Sequence, residues 1–178
     1  MDTVKILDRN FKMYLREAEI QQRIREVANQ ISNDLQGKDP LFVGILNGSF
    51  MFAADLMRAV SIPAEISFIK VASYEGTSST GKVTDLIGLN ENLEGRTVVI
   101  VEDIIDSGLS MTRIIEEIKK SNPAEMHICS LLLKPGNLQV ELDIPYCCFR
   151  IPNDFIVGYG LDYDRYGRGL RDIYVVTE

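Results

Sequence analysis

Apolar positions along this chain change period several times, and each change predicts an element. Phe11, Tyr14, Leu15, Ala18, Ile24, Val27, Ala28, Ile31 and Leu35 recur at helical spacing, so the pattern predicts an amphipathic helix over 10–36. Asp8 or Asn10 is a candidate cap, Gly37 a stop signal, and Pro40 forbids continuation. LFVGIL (41–46) is a continuous apolar run, which suits a strand buried on both faces of a parallel sheet. Ser49 opens a second predicted helix that ends before Pro63, and 64–74 reads as another strand. EGTSSTGKVT (75–84) then loses all strong hydrophobicity; a long polar loop inside a compact domain is often a lid or binding loop. DLIGL predicts a short strand and VVIVEDI (98–104) a buried one. Met111, Ile114, Ile115 and Ile118 share one face of a predicted helix over 109–120, MHICSLLL (126–133) is a further strand, and YCCFR, FIVGYG and YVVT are short strand-like pieces. Strand–helix alternation through the middle of the chain points to an α/β domain built on a mainly parallel sheet.

Composition narrows the functional classes. A chain of 178 residues with 46% hydrophobic side chains is the size of one domain with a substantial core. The 26 acidic against 19 basic side chains give a net charge of −7, which argues against a nucleic-acid binder and against an anionic membrane surface. The N-terminus has no apolar signal region, and no apolar run is long enough to span a bilayer. Three cysteines, two of them adjacent (Cys147, Cys148), do not make a disulfide framework, so reduced thiols in the cytoplasm are the expectation. Cys147 and Cys148 are expected on opposite faces of a strand, and the single histidine, His127, as a packed strand residue.

The informative stretch is VVIVEDIIDSGLSMTRII, residues 98–115. A buried strand ends in Glu102, Asp103 and Asp106, passes through Ser107-Gly108-Leu109-Ser110, and enters a helix. Ligands of open α/β sheets bind at the carboxyl ends of strands. Three carboxylates this close repel one another and need cation or hydroxyl partners. Adjacent Glu102 and Asp103 suit a sugar diol and a hydrated Mg2+. The turn after them delivers free N–H groups and a helix dipole to a phosphate. The combination describes a ribose 5-phosphate site. Taken singly, each residue also has an ordinary structural reading, with Asp106 or Ser107 as a helix N-cap.

VEDIIDSGLS resembles the phosphoribosyl-pyrophosphate signature of the type I phosphoribosyltransferases. LNGSFMF (46–52), SYEGTSSTG (73–81), LLLKPG (131–136) and PNDFIVGYGLDYDRYGR (152–168) follow in the order seen in the hypoxanthine-guanine branch of that family, a resemblance that covers roughly residues 40–178. It implies a type I phosphoribosyltransferase fold in one domain, with a core over about 38–150 and a small hood subdomain from about 151–178, to which the N-terminus is a further candidate contributor. It also implies transfer of the phosphoribosyl group from phosphoribosyl pyrophosphate to hypoxanthine or guanine, with Mg2+, in a homodimer or homotetramer.

Residue by residue, the resemblance implies that Glu102 and Asp103 hold the ribose hydroxyls and nearby Mg2+. Asp106, Ser107, Gly108, Leu109 and Ser110 hold the 5-phosphate, and Asp106 is the general base toward purine N7. A carboxylate in a closed, partly dry site has a raised pKa suited to that task. Lys134 reaches the purine 6-oxo group; lysine only donates, so 6-oxopurines are favoured over adenine. Phe155 stacks on the purine, and the Ile156 carbonyl accepts from the guanine 2-amino group. Asp162 binds a second Mg2+ and Arg168 the pyrophosphate. Asn47 and Gly48 belong to the pyrophosphate loop, where the resemblance implies a cis peptide between Leu46 and Asn47. Asn47 stands where the family often has a basic residue, a departure that bears on the charge of that loop. Ser73 and Tyr74 begin a lid that excludes water during the reaction.

Three other readings compete. A signalling receiver domain also ends a VVIVED-like strand in carboxylates, but near its N-terminus. An RNA-binding regulator on the same fold calls for a basic surface. A xanthine-guanine specificity differs only at the purine 2-position, which main-chain atoms read.

Overall fold

The computed structural model describes residues 2–72 and 85–177. Numbered in chain order, its elements are β1 (Thr3–Ile6), β2 (Arg9–Leu15), α1 (Glu17–Asp34), β3 (Leu41–Leu46), α2 (Phe50–Ala59), β4 (Glu65–Ala72), β5 (Asp85–Ile87), β6 (Thr97–Ile105), α3 (Leu109–Lys119), β7 (Glu125–Leu133), β8 (Tyr146–Arg150), β9 (Ile156–Val157) and β10 (Ile173–Val176), with a 3-10 turn at Pro135–Asn137. Six strands form one sheet in the order β5-β4-β3-β6-β7-β8. All its pairs are parallel except β4 with antiparallel β5.

The apolar runs behave as doubly buried strands. In β3, Phe42 joins the core under α1 and α2, whereas Leu41, Val43 and Ile45 join the core under α3. β6 divides in the same way, with Val99 and Val101 on one side and Val98 and Ile100 on the other. This is the period of two expected of a strand with both faces covered. Ile20, Ile24, Val27, Ala28 and Ile31 of α1 meet Phe52, Ala53 and Leu56 of α2 on the first face, and Met111, Ile114 and Ile118 of α3 close the second. Cys148 and Cys147 fall on opposite faces of β8, and all three cysteines are free thiols.

The N-terminal expectation is corrected. Residues 9–15 are strand, and the helix begins only at Glu17. Phe11, Tyr14, Leu15 and Ala18 fit helical spacing, but Phe11, Met13 and Leu15 also alternate with Lys12 and Tyr14. The choice falls to long-range pairing. β2 lies between β1 and β10 in a second, antiparallel sheet of order β1-β2-β10-β9, with Phe11 opposite Val176. Neither proposed cap serves α1. Instead Arg16 precedes it, and the Glu19 carboxylate accepts from the Arg16 backbone N–H at 3.0 Å.

Sheet order also fixes where a ligand can sit. From β3 the chain crosses to β4 on one side, and β6 then returns to the other side of β3. The carboxyl ends of β3 and β6 therefore flank a topological switch point, the usual crevice for ligands in open α/β sheets. Among the described residues, no helix is long and apolar enough to cross a membrane.

Candidate active site

Three loops converge on the switch point, and glycines permit the approach. The Leu46–Asn47 peptide after β3 is cis, as the resemblance implies. Gly48 follows; any side chain there would drive into the Asp103 carboxylate at the end of β6. A side chain on Gly160, which has φ +100°, would strike the Gly48 carbonyl. The β3 loop is thus wedged between the acidic strand end and the C-terminal segment, with backbone in van der Waals contact on both sides.

Glu102 and Asp103 are half-buried within β6. Glu102 accepts from the Asp103 backbone N–H at 3.1 Å, and Asp103 accepts from the Ile104 N–H at 2.9 Å. Burial, and then the neighbouring Asp103 charge, push Glu102 well above the ordinary carboxylate range. A hard divalent cation beside the pair would offset both effects. Among the described residues no three His, Cys, Asp or Glu side chains form a metal cage, so Asp162 does not join Glu102 and Asp103 in one cluster. Mg2+ commonly takes only one or two carboxylates and completes its shell from water and substrate phosphate, so the oxygen pair fits it.

The loop beyond β6 forms a cradle. Gly108 takes φ +81° ahead of α3, and the first intrahelical bond runs from the Thr112 N–H to the Gly108 carbonyl at 3.0 Å. The amides of Leu109, Ser110 and Met111 thus lie in the first turn, where a helix has no carbonyls of its own to offer. Leu109 N–H donates to Ser107 Oγ at 3.3 Å. A cavity of about 110 Å3 opens here, lined by Glu102, Ile104, Ile105, Asp106, Ser107, Gly108, Ser110 and Met111. It is the size and polarity of a site for one phosphate.

Asp106 and Lys134 meet directly. Lys134 is buried (8% exposed) at the end of β7, and its ammonium donates to Asp106 Oδ2 at 3.1 Å. Asn137, on the turn after β7, donates its amide to Asp106 Oδ1 and to Asn153 Oδ1, both at 2.6 Å. Burial raises the Asp106 pKa, but the Asn137 and Lys134 hydrogen bonds and the Lys134 charge outweigh it, so the carboxyl sits below its ordinary value. The expected rise is not found in this state, because the side chain is 48% exposed and already paired. Asn137 and Asn153 are additions to the site. Their signal, two amides in turns with no hydrophobic pattern around them, cannot be told in sequence from loop solvation.

The C-terminal segment supplies the remaining groups. Phe155 is 42% exposed, with Phe11 and Tyr163 behind it. Val176 N–H donates to the Phe155 carbonyl, so the next pair, Ile156 with Val175, is the non-hydrogen-bonded kind and leaves the Ile156 carbonyl outside the ladder. Asp162 and Arg168 pair with each other at 2.7 Å; Arg168 also donates to the Gly160 carbonyl at 2.7 Å, and Asp162 accepts from the Arg165 N–H. Asn47 is exposed at the loop tip. Ser73 and Tyr74 lie outside the described residues. His127 packs at the start of β7 against Tyr146 and Glu125, away from these groups.

A wedged backbone loop, a phosphate-sized cradle and an acidic strand end at the switch point of a parallel sheet define a class. Residues 10–164 match the phosphoribosyl transferase domain, and the chain belongs to that family. Within it, the chain is 41% identical to a hypoxanthine-guanine phosphoribosyltransferase of Mycobacterium bovis, over 94% of this chain and 87% of that protein. It is 43% identical to a hypoxanthine phosphoribosyltransferase of Salmonella typhimurium, over 86% and 88%. The fold superposes on the crystal structure of a hypoxanthine-guanine phosphoribosyltransferase from Bacillus anthracis with a TM-score of 0.86, at 36% identity, covering 93% of this chain and 98% of that one. The receiver-domain reading is thereby set aside.

Proposed function

We propose that this chain makes purine nucleoside monophosphates, transferring the 5-phosphoribosyl group from phosphoribosyl pyrophosphate to hypoxanthine or guanine and releasing pyrophosphate. The observation that carries the reading is the Lys134–Asp106 pair beside the phosphate cradle. It sets a proton donor and a proton acceptor side by side, as the adjacent 6-oxo and N7 positions of a 6-oxopurine require.

The 5-phosphate rests on the amides of the Asp106–Ser110 loop, and the ribose hydroxyls face Glu102 and Asp103. Phe155 stacks on the base. Lys134 donates to the 6-oxo group and meets a fellow donor in adenine, which leaves a buried donor unpaired and costs binding. The Ile156 carbonyl, outside the β9–β10 ladder, accepts from the 2-amino group of guanine. Asp106 takes the N7 proton as N9 bonds to the ribose C1 and the C1–O bond to pyrophosphate breaks. Arg168 exchanges Asp162 for a pyrophosphate oxygen. Glu102 and Asp103, with Asp162 at a second position, would hold Mg2+, which supplies charge neutralisation to the pyrophosphate. Ser73 and Tyr74 belong to the same proposal as the start of a lid. So do a core over about 38–150 under a hood made by the second sheet, a homodimer or homotetramer, and a cytoplasmic setting in which the three thiols stay reduced.

The test is one assay: enzyme, phosphoribosyl pyrophosphate and Mg2+ with hypoxanthine, guanine, xanthine and adenine in turn, following pyrophosphate release. Release with hypoxanthine or guanine and little with adenine is expected. Silence with both 6-oxopurines overturns the reading, and a preference for xanthine relocates it.

A further inference from the structure

The β1–β2 hairpin has no part in the roles assigned above, yet its turn grips the segment that carries the purine platform. Three rings close a triangle: Phe11 and Phe155 are 6.3 Å apart, Phe11 and Tyr163 6.1 Å, and Phe155 and Tyr163 5.8 Å, the last pair edge to face at 82°. Phe11 is fully buried, whereas Phe155 is 42% exposed. The third ring is held from two sides. Tyr163 donates its hydroxyl to Asp8 Oδ1 at 2.7 Å, and the Arg9 guanidinium lies 5.2 Å from the centre of the Tyr163 ring. Asp8 and Arg9 are consecutive at the hairpin turn, where Leu7 adopts φ +52°. The Tyr163 backbone is pinned as well, by reciprocal hydrogen bonds with Tyr166 at 2.9 and 3.0 Å.

A half-exposed phenylalanine left to itself samples several rotamers, and a stacking ligand must then bear the ordering cost. Here the cost is met in advance. Main-chain pairing with β10 fixes the Phe155 backbone, Phe11 backs the ring, and the near-perpendicular Tyr163 ring limits its tilt. We propose that Tyr163 is a positioning residue that pre-orders the Phe155 ring for the purine, and that the hairpin residues Asp8 and Arg9 serve purine binding through it. This inference rests on the reading of Phe155 as the stacking residue.

The experiment measures KM for hypoxanthine and for phosphoribosyl pyrophosphate, kcat, and the melting temperature in Mg2+-loaded enzyme. The variants are Tyr163→Leu, Tyr163→Phe, Phe155→Leu and the double variant Tyr163→Leu/Phe155→Leu. Tyr163→Leu is expected to raise the purine KM by about 2- to 12-fold, the worth of an edge-to-face pair. The KM for phosphoribosyl pyrophosphate stays within about twofold, since no phosphate contact is touched. Tyr163→Phe keeps the ring but loses the Asp8 hydrogen bond, so it raises the purine KM by less than Tyr163→Leu does. In the double variant, purine KM is no worse than in Phe155→Leu alone, because Tyr163 then has no ring to position. Should Tyr163→Leu fold poorly, Arg9→Gln and Asp8→Ala, which remove the cation and the acceptor that hold the Tyr163 ring, loosen the grip from the surface and raise purine KM alone. If Phe155→Leu leaves purine KM unchanged, the stacking reading falls and this inference with it. If Phe155→Leu raises it but Tyr163→Leu does not, or raises both KM values together, or adds fully to Phe155→Leu, the positioning role alone is overturned.

Discussion

Replacing Asp106 by Asn separates a chemical role from a structural one. The amide keeps the shape and can still accept from Asn137, but it turns an N–H toward the Lys134 ammonium now held at 3.1 Å. At that distance, an effective dielectric of about 20 makes the lost attraction roughly 5 kcal/mol. Water at the exposed Asp106 side recovers most of it, so the net loss of stability is about 1–2 kcal/mol. For a chain of this size that lowers the melting temperature by roughly 2–8 °C. The chemistry loses more: without a base for the N7 proton, turnover falls about 10²- to 10⁴-fold, equivalent to about 3–5 kcal/mol of barrier. The assay is single-turnover formation of nucleotide from hypoxanthine at saturating phosphoribosyl pyrophosphate, beside a melting curve in the same buffer. A rate within a few-fold of the parent, with the expected melting shift, would refute the general-base assignment. A collapse of the fold would instead refute the estimate of how far solvent screens this pair.

Three further outcomes are expected. Gly108→Ala places a side chain at φ +81° with its Cβ 2.8 Å from a Val140 methyl and 2.9 Å from a Leu142 methyl. It should cost about 2–3 kcal/mol and raise the KM for phosphoribosyl pyrophosphate more than that for purine, as melting curves and initial rates will show. Chelation with EDTA should abolish activity and Mg2+ restore it, while Mg2+ with phosphoribosyl pyrophosphate should raise the melting temperature; full activity in EDTA refutes the metal role. Burial pushes the Cys148 thiol from 9.0 up to about 12. The unfolded chain therefore gives up that proton first, and Cys148's contribution to stability is full below about pH 9 and declines from there toward pH 12, which denaturant titrations across that range will read.

Much of the central sheet was legible in the residues. LFVGIL and VVIVEDI are strands because an unbroken apolar run has no face to offer water, and covering both faces is what a parallel sheet with helices on either side does. The acidic pair, the glycine turn and the helix start after it are equally local, since their order along the chain already places carboxylates, amides and dipole at one strand end. The residues over 9–15 are the opposite case. Their spacing suits a helix and a strand alike, and Phe11 is committed only by pairing with Val176 at the far end of the chain. Alternation can show that a segment will pair, but not with which partner.

The site divides along the same line. Which residues carry charge, which donate and which bend the backbone is written in Glu102, Asp103, Asp106, Gly108, Lys134 and Arg168 themselves. Their condition is not. Lys134 is buried against Asp106 because β6 and β7 are neighbours in register, and the Asn137 hydrogen bond together with that contact takes the Asp106 carboxyl below its ordinary value when burial alone would raise it. Gly48 acquires its meaning only when β3 and β6 flank the switch point and Asp103 occupies the space a side chain would need. Sequence thus determined the chemical groups and the local geometry, which depend on near neighbours. Tertiary structure decided protonation, exposure and partnership, because each depends on what the fold brings up from elsewhere in the chain.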